Sequence, residues 1–200
     1  TELGDLRIAG LSAFVTPPEQ FYRIDTALSV PQVEPGSWRL RVHGMVAEEV
    51  EIGFDELLAL PMVERLTTLT CVSNEVGGPL ISNARWLGAR LADVLREAGV
   101  HADADQLLMT SVEGMTIGAP TKVVLDGRDA LIAVGMNGAP LPVAHGFPAR
   151  IVVPGLYGYV SACKWVTDIE ATTFDAQSAY WVAGVGALVL IGAAGVDGTV

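Results

Sequence analysis

The chain has 200 residues, enough for one domain with a real core but not comfortably for two. Half of the residues are hydrophobic, which excludes an intrinsically disordered chain, and 12 Lys+Arg stand against 23 Asp+Glu for a formal charge of −11. That balance excludes a nucleic-acid binder, whose partner needs a basic surface, and docking on anionic lipid headgroups. The expected ligands are small, with any anionic group met by a few local basic residues. Two cysteines make no disulfide framework, and nothing favours a Cys71–Cys163 bridge. Thr1 rather than Met opens the sequence, so we expect a processed product or a piece of a longer protein, with no signal peptide in view.

Residues 1–20 read as an arm or linker that ends in Thr16-Pro-Pro-Glu19. Trp38–Val46 alternates cleanly, with Trp38, Leu40 and Val42 on one side and Arg39, Arg41 and His43 on the other, which predicts a half-buried strand. Val50–Phe54 alternates too and is a candidate to pair with it. The run FDELLAL followed by Pro61 predicts a short helix stopped by proline. Residues 86–98 predict the best helix, with Leu87, Leu91, Val94, Leu95 and Ala98 at helical spacing and Gly99 as its C-terminal cap. QLLMTSV, TKVVL, ARIVV and KWVTDIEA follow as strands, and Asp126-Gly127 and Asn137-Gly138 mark turns. Many short strands with a few helices predict an α+β fold, mostly antiparallel. Ala179–Val196 carries no charge and sits at the lower length limit for a membrane span. Its glycines and valines suit buried strands and turns better.

Two loops do not read as scaffold. The first is TLTCVSNEVGG (Thr68–Gly78), which sets Cys71 at the end of a β-branched run and follows it with polar residues and Gly77-Gly78. Packing, half of a disulfide, a nucleophile and a metal ligand are all open to that thiol. The second is Met136–Trp165, which gathers His145, Arg150, Ser161 and Lys164 among prolines and glycines. A histidine, two cations and a hydroxyl on rigid loop backbone suit a phosphate or a polar heterocycle. The sequence holds no dinucleotide fingerprint opening a helix, no P-loop, no HExxH and no zinc-type spacing.

Taken together, FYRIDTAL, WRLRVHGMV, TLTCVSNEVGG, NARW, MNGAPLPVAHGFPAR and VPGLYGYVSACKW make a specific set. With these the chain resembles the sulfite-oxidase-like molybdopterin oxidoreductases, from about Pro17 to Trp181, and most closely a bacterial branch that is often membrane-anchored. The resemblance implies the sulfite-oxidase-type molybdopterin-binding fold over residues 21–181, followed by an atypical apolar tail at 182–200. It implies molybdenum and molybdopterin as cofactors, with Cys71 as the catalytic metal ligand. Asn74, His145, Arg150, Ser161 and Lys164 become cofactor-binding candidates, with Tyr22 and Arg23 beside them. A soft thiolate suits a metal that cycles by two electrons.

The implied reaction is two-electron oxygen-atom transfer with a small-molecule oxo donor or acceptor. Sulfite oxidases carry two arginines where this sequence has Glu75 and Val76, and a carboxylate there would repel sulfite. A neutral sulfoxide is therefore the favoured substrate, by analogy with related periplasmic methionine sulfoxide reductases. The alternatives are a family member that keeps the fold without cofactor and a thiol hydrolase built on Cys71 and His145. With no CxxCH haem motif, the redox partner is expected to be another protein or a neighbouring membrane domain. The expected setting is extracytoplasmic, periplasmic or on the outer face of the membrane, with any anchor outside this chain. No dimerisation domain is expected in it.

Overall fold

Alternation decides the first sheet. In the computed structural model, which describes residues 12–25 and 27–176, β1 (Arg39–Gly44) buries Leu40 and Val42 completely and turns Arg39 and Arg41 to solvent. It pairs antiparallel with β2 (Val50–Gly53), as expected, and the chain passes directly into α1 (Phe54–Ala59), which ends ahead of Pro61. There Glu56 reaches back to accept the Gly53 N–H at 2.7 Å, which satisfies one orphan donor of the helix start. β3 (Met62–Thr70) and β4 (Ile81–Arg90) then form an antiparallel pair nine residues long.

Next come α2 (Leu91–Ala98), β5 (Gln106–Ser111), β6 (Thr116–Pro120), α3 (Thr121–Val124), β7 (Leu131–Met136), β8 (Ala139–Pro140), β9 (Arg150–Val152) and β10 (Val166–Thr172). They build two five-stranded sheets. One has the order β2-β1-β10-β5-β6, and the other β3-β4-β7-β8 with β9 also paired to β7. Among the described strands only β1 and β10 run parallel, so the mostly antiparallel α+β expectation holds. Strand β7 is buried along its whole length. Ile132 and Val134 enter the large core with Leu40, Leu95, Met109 and Ile169, while Leu131 and Ala133 enter a smaller core with Phe21, Leu69 and Trp86. The side-chain period of two sends alternate residues of one strand into two cores.

Two expectations fail for identifiable reasons. Residues 86–90 are strand, and the helix begins only at Leu91. Trp86 is fully buried and Leu87 is 40% exposed, an alternation that masqueraded as helical spacing. Gly88 makes the strand possible. A Cβ there would lie 2.3 Å from the Ile132 oxygen and 2.7 Å from the Ala133 Cα, beside a register shift between Leu87 and Gly88. The second failure is TKVVL, which forms α3 rather than a strand. Thr121 and Val124 are the buried pair, three residues apart, and Pro120 leads in. The turn at Asn137-Gly138 is as expected, with both residues at positive φ, 54° and 80°.

The arm is tied down over its described residues. The Thr16 N–H donates to the Asn83 oxygen at 2.8 Å, Asn137 Nδ2 donates to the Thr16 oxygen at 2.9 Å, and Phe21 packs edge-on against Trp86. The apolar run Ala179–Val196 lies outside the described residues. Among those described, no helix is long and apolar enough to cross a membrane.

Gly88→Ala forces backbone against backbone and is expected to cost about 1–3 kcal/mol, a fall of about 2–10 °C in Tm. Gly36→Ala, with open space at its Cβ, is the control and stays within about 0.5 kcal/mol. Thermal unfolding of the two variants beside wild type decides it; equal Tm values would contradict the close approach at Gly88.

Candidate functional site

Strand β3 delivers Cys71 at its end, half-buried, where the backbone leaves the sheet. The loop that follows is closed at its neck. The Cys71 N–H donates to the Leu80 oxygen at 2.9 Å, the Asn74 N–H to the Cys71 oxygen at 3.0 Å, and Asn74 Oδ1 accepts the Leu80 N–H at 2.7 Å. Gly78 is required there, since a Cβ would meet Asn74 Oδ1 at 2.8 Å. Cys71 Sγ and Ser73 Oγ share a hydrogen bond of 3.0 Å.

The second loop is built around buried polar groups. His145, 4% exposed, donates from Nε2 to the Pro18 oxygen at 2.7 Å and lies edge-on to Phe21. Arg150 is 5% exposed; its Nη1 donates to the His145 oxygen at 3.0 Å and its guanidinium lies 4.8 Å from the centre of the Trp86 ring. Gly146 has φ 112° and sits 3.0 Å from the Arg150 Cβ at the point where its own Cβ would be, so no side chain fits. Ser161 is fully buried and donates to the Tyr157 oxygen at 2.9 Å. Lys164 is ion-paired with Asp25, donates to the Ile24 oxygen at 3.3 Å and stands over the Trp165 ring.

These pieces enclose a cavity of about 280 Å³. Tyr22, Arg23, Cys71, His145, Arg150 and Lys164 all line it, so the structure brings six of the eight sequence candidates together. Asn74 and Ser161 are not on its wall; each spends its side chain on loop backbone. Glu75 and Val76 are exposed and also off the wall, so the expected repulsion of sulfite from that position finds no support in the geometry. The wall instead carries Asp25, Glu113, Met115, Ile117 and Cys163. Asp25 lay in plain view beside Arg23 in FYRIDTAL, whereas Glu113 sits in the β5–β6 turn, which carries no motif. Cys163 is 1% exposed and reaches the same cavity as Cys71. A Cys71–His145 hydrolase pair is not formed: Nε2 is committed to Pro18 and Sγ to Ser73.

Burial dominates the electrostatics. It lowers Arg150 to about 10 and Lys164 to about 8, with Arg23 pushing Lys164 further down. It raises the Tyr22 phenol to about 12 against the pull of Arg150, and it raises the Cys163 thiol. Arg150 remains a cation at neutral pH, and its Nε has no hydrogen-bond partner among the described residues. No carboxylate pairs with it among them. A buried, unpaired cation is costly, so the cavity suits an anionic group. Among the described residues no three His, Cys, Asp or Glu come together as a metal cage. A metal bound at Cys71 would take its other donors from a non-protein ligand.

Residues 27–181 match the family model of the oxidoreductase molybdopterin binding domain. The chain is 34% identical over 193 residues to mitochondrial sulfite oxidase of Mus musculus, covering 84% of this chain and 35% of that one. It is 35% identical over 135 residues to the oxidoreductase YuiH of Bacillus subtilis, covering 68% of this chain and 65% of the other. Nitrate reductase (NADH) 1 of Oryza sativa is 31% identical over 84% of this chain and 21% of its own. Among solved structures, the sulfane dehydrogenase SoxCD from Paracoccus pantotrophus superposes with a TM-score of 0.70 at 26% identity, over 82% of this chain and 45% of that chain. The chain thus spans about a third of the length of the sulfite oxidases it matches.

Burial holds His145 below the ordinary histidine value, about 6.5. As pH falls, the unfolded chain therefore takes up this proton first, and the folded state loses ground. Stability of the cofactor-free chain is expected to be full above about pH 6.5 and to decline as pH drops below it. His145→Gln removes that share of the decline. Urea midpoints measured from about pH 7 to pH 5 check it; parallel pH slopes in wild type and variant would refute it.

Proposed function

Because the chain belongs to the family of oxidoreductase molybdopterin binding domains, we propose that its cavity carries out two-electron oxygen-atom transfer beside Cys71. The observation that carries this reading is one cavity with a half-buried thiol on its wall and a buried cation, Arg150, that has no counter-ion among the described residues. The residues fit the cofactor. Cys71 supplies a soft donor, and the Arg150 guanidinium, with its unpartnered Nε, supplies a site for a phosphate. When bound, the molybdenum cofactor contributes a metal that gains or loses two electrons together with an oxygen atom.

The chain's own groups bind, orient and exclude water. Cys71, as a thiolate, would hold the metal. Arg150 and Lys164 would hold the anionic end of the pterin, with Tyr22 and His145 beside them on the wall. Asn74 and Ser161 act through loop shape, fixing the backbone on which Cys71 and Lys164 sit. The wall at Leu69, Met115 and Ile117 is apolar and shields the charges from water.

The proposed substrate is a small sulfoxide. The S–O bond breaks, two electrons and two protons are taken up, and the products are a thioether and water. The apolar wall and the carboxylates of Asp25 and Glu113 support it. Sulfite oxidation is the second reading, and the similarity to sulfite oxidases favours it. Electrons come from or go to a protein or domain beyond this chain. The proposed setting is the periplasm or the outer face of a membrane, by analogy with the bacterial branch the sequence resembles.

In protein made in a cofactor-competent host, Cys71→Ser is expected to lower the sulfur count at molybdenum by one in X-ray absorption spectra. An unchanged sulfur shell would remove Cys71 as the ligand. Arg150→Met is expected to retain at least about tenfold less molybdopterin. Yet without cofactor it should unfold no earlier than wild type, because the variant no longer buries an unpaired charge. Full cofactor retention in that variant would overturn the role given to Arg150.

A further inference from the structure

Oxygen transfer moves protons as well as electrons, and most groups on the cavity wall are unsuited to carry them. Asp25 is held by Arg23 and Lys164, and His145 Nε2 is spent on the Pro18 oxygen. Arg23, Arg150 at about 10 and the Tyr22 phenol at about 12 keep their protons at neutral pH. Burial raises the Tyr159 phenol and the Cys163 thiol as well, and Cys71 is the metal donor. Glu113 differs from all of these. Among the described residues it has no ion pair and no hydrogen bond. It stands in the β5–β6 turn, exposed to solvent and on the cavity wall at once. Its charge adds to burial in pushing up the Cys163 thiol, so the carboxylate acts on the interior. The turn itself is fixed. The Val112 N–H donates to the Trp165 oxygen at 2.9 Å, the Gly114 N–H to the Ser111 oxygen at 2.9 Å, and the Met115 N–H to Ser111 Oγ at 3.2 Å.

We propose that Glu113 is the proton relay of this site, linking solvent to the reacting oxygen. In sulfoxide reduction the S–O bond breaks, two electrons arrive from the redox partner, and the oxygen leaves as water with two protons. Each proton passes through the Glu113 carboxyl, which takes its replacement from bulk water. In the oxidising direction two protons leave by the same carboxylate. The assignment therefore rests on oxygen transfer in this cavity and not on which substrate undergoes it.

The test uses the full chain from a cofactor-competent host, with molybdenum content measured first. Turnover is followed with dimethyl sulfoxide and a reduced viologen dye, or with sulfite and ferricyanide if sulfite is what reacts. Glu113→Gln is expected to lose at least about tenfold in kcat, with KM and molybdenum content as in wild type, while Glu113→Asp keeps most of the rate. The solvent deuterium effect on kcat should be larger in Glu113→Gln than in wild type. In Glu113→Ala, formate should restore the rate as its concentration rises, which a lost structural contact would not allow. A kcat within about twofold of wild type in Glu113→Gln, or no rescue in Glu113→Ala, overturns the proposal. The position lies on an exposed turn, so these variants keep the fold. A second readout needs no turnover. In the cofactor-free chain, a carbodiimide with glycinamide should label Glu113 at least about tenfold faster than the paired Asp25. Equal labelling would show Glu113 to be engaged and overturns the assignment. A chain without molybdenum or turnover counts against the oxygen-transfer reading, while the labelling still judges Glu113.

Discussion

A cation held in the interior with no carboxylate partner among the described residues is the constraint around which this domain is arranged. Arg150 is kept in place by the His145 carbonyl and the Trp86 ring, and neither cancels its charge. A hydrogen bond to a neutral oxygen and a ring face lower the cost of burial without removing it. Such a group persists in a native state when a ligand supplies the missing charge. The neighbouring design follows from that. The His145 carbonyl meets Arg150 while its ring bonds to Pro18, and Gly146 must lack a side chain for Arg150 and Lys164 to approach.

The two sheets position this arrangement through one strand. Strand β7 is buried on both faces, so it joins the large core to the smaller one that underlies the cavity. Its neighbour β4 reaches it only because Gly88 lets two backbones come close. Strand β3, carried on β4 by a long antiparallel ladder, then sets Cys71 over the smaller core. Packing fixes the thiol's position, and the Asn74-closed loop fixes its exposure. Rigid elements supporting a short, internally bonded loop are what a pre-organised site needs.

Much of this could be read from the residues. Alternation in β1, the Pro61 stop, the Gly99 cap and the Asn137-Gly138 turn are local signals, and local physics made them. The motifs FYRIDTAL, TLTCVSNEVGG, HGFPAR and SACKW pointed to the family and together supplied six wall residues. What failed depended on contacts between segments far apart in sequence. Trp86–Arg90 spaces its apolar residues in a way that satisfies both a helix and a strand, and the β3 and β7 ladders chose the strand. TKVVL is β-branched, but its place after Pro120 and the burial of Thr121 and Val124 favoured a helical turn. Asn74 and Ser161 became cofactor-binding candidates through the family resemblance; in the structure their side chains bond to loop backbone. Glu75 is exposed and off the wall, whereas Asp25 and Glu113 reach it through tertiary contacts that no spacing encodes.

The ties that shut the cavity span great lengths of chain. His145 meets Pro18 across 127 residues, and Lys164 meets Ile24 across 140. During synthesis, the early segment leaves the ribosome long before the residues that secure it exist. Until residue 164 has emerged, the cavity has no complete wall and Asp25 no ammonium to hold. Order of translation thus delays site closure until residue 164 has emerged. It leaves an interval in which a bulky cofactor could enter from the side rather than thread through a finished mouth.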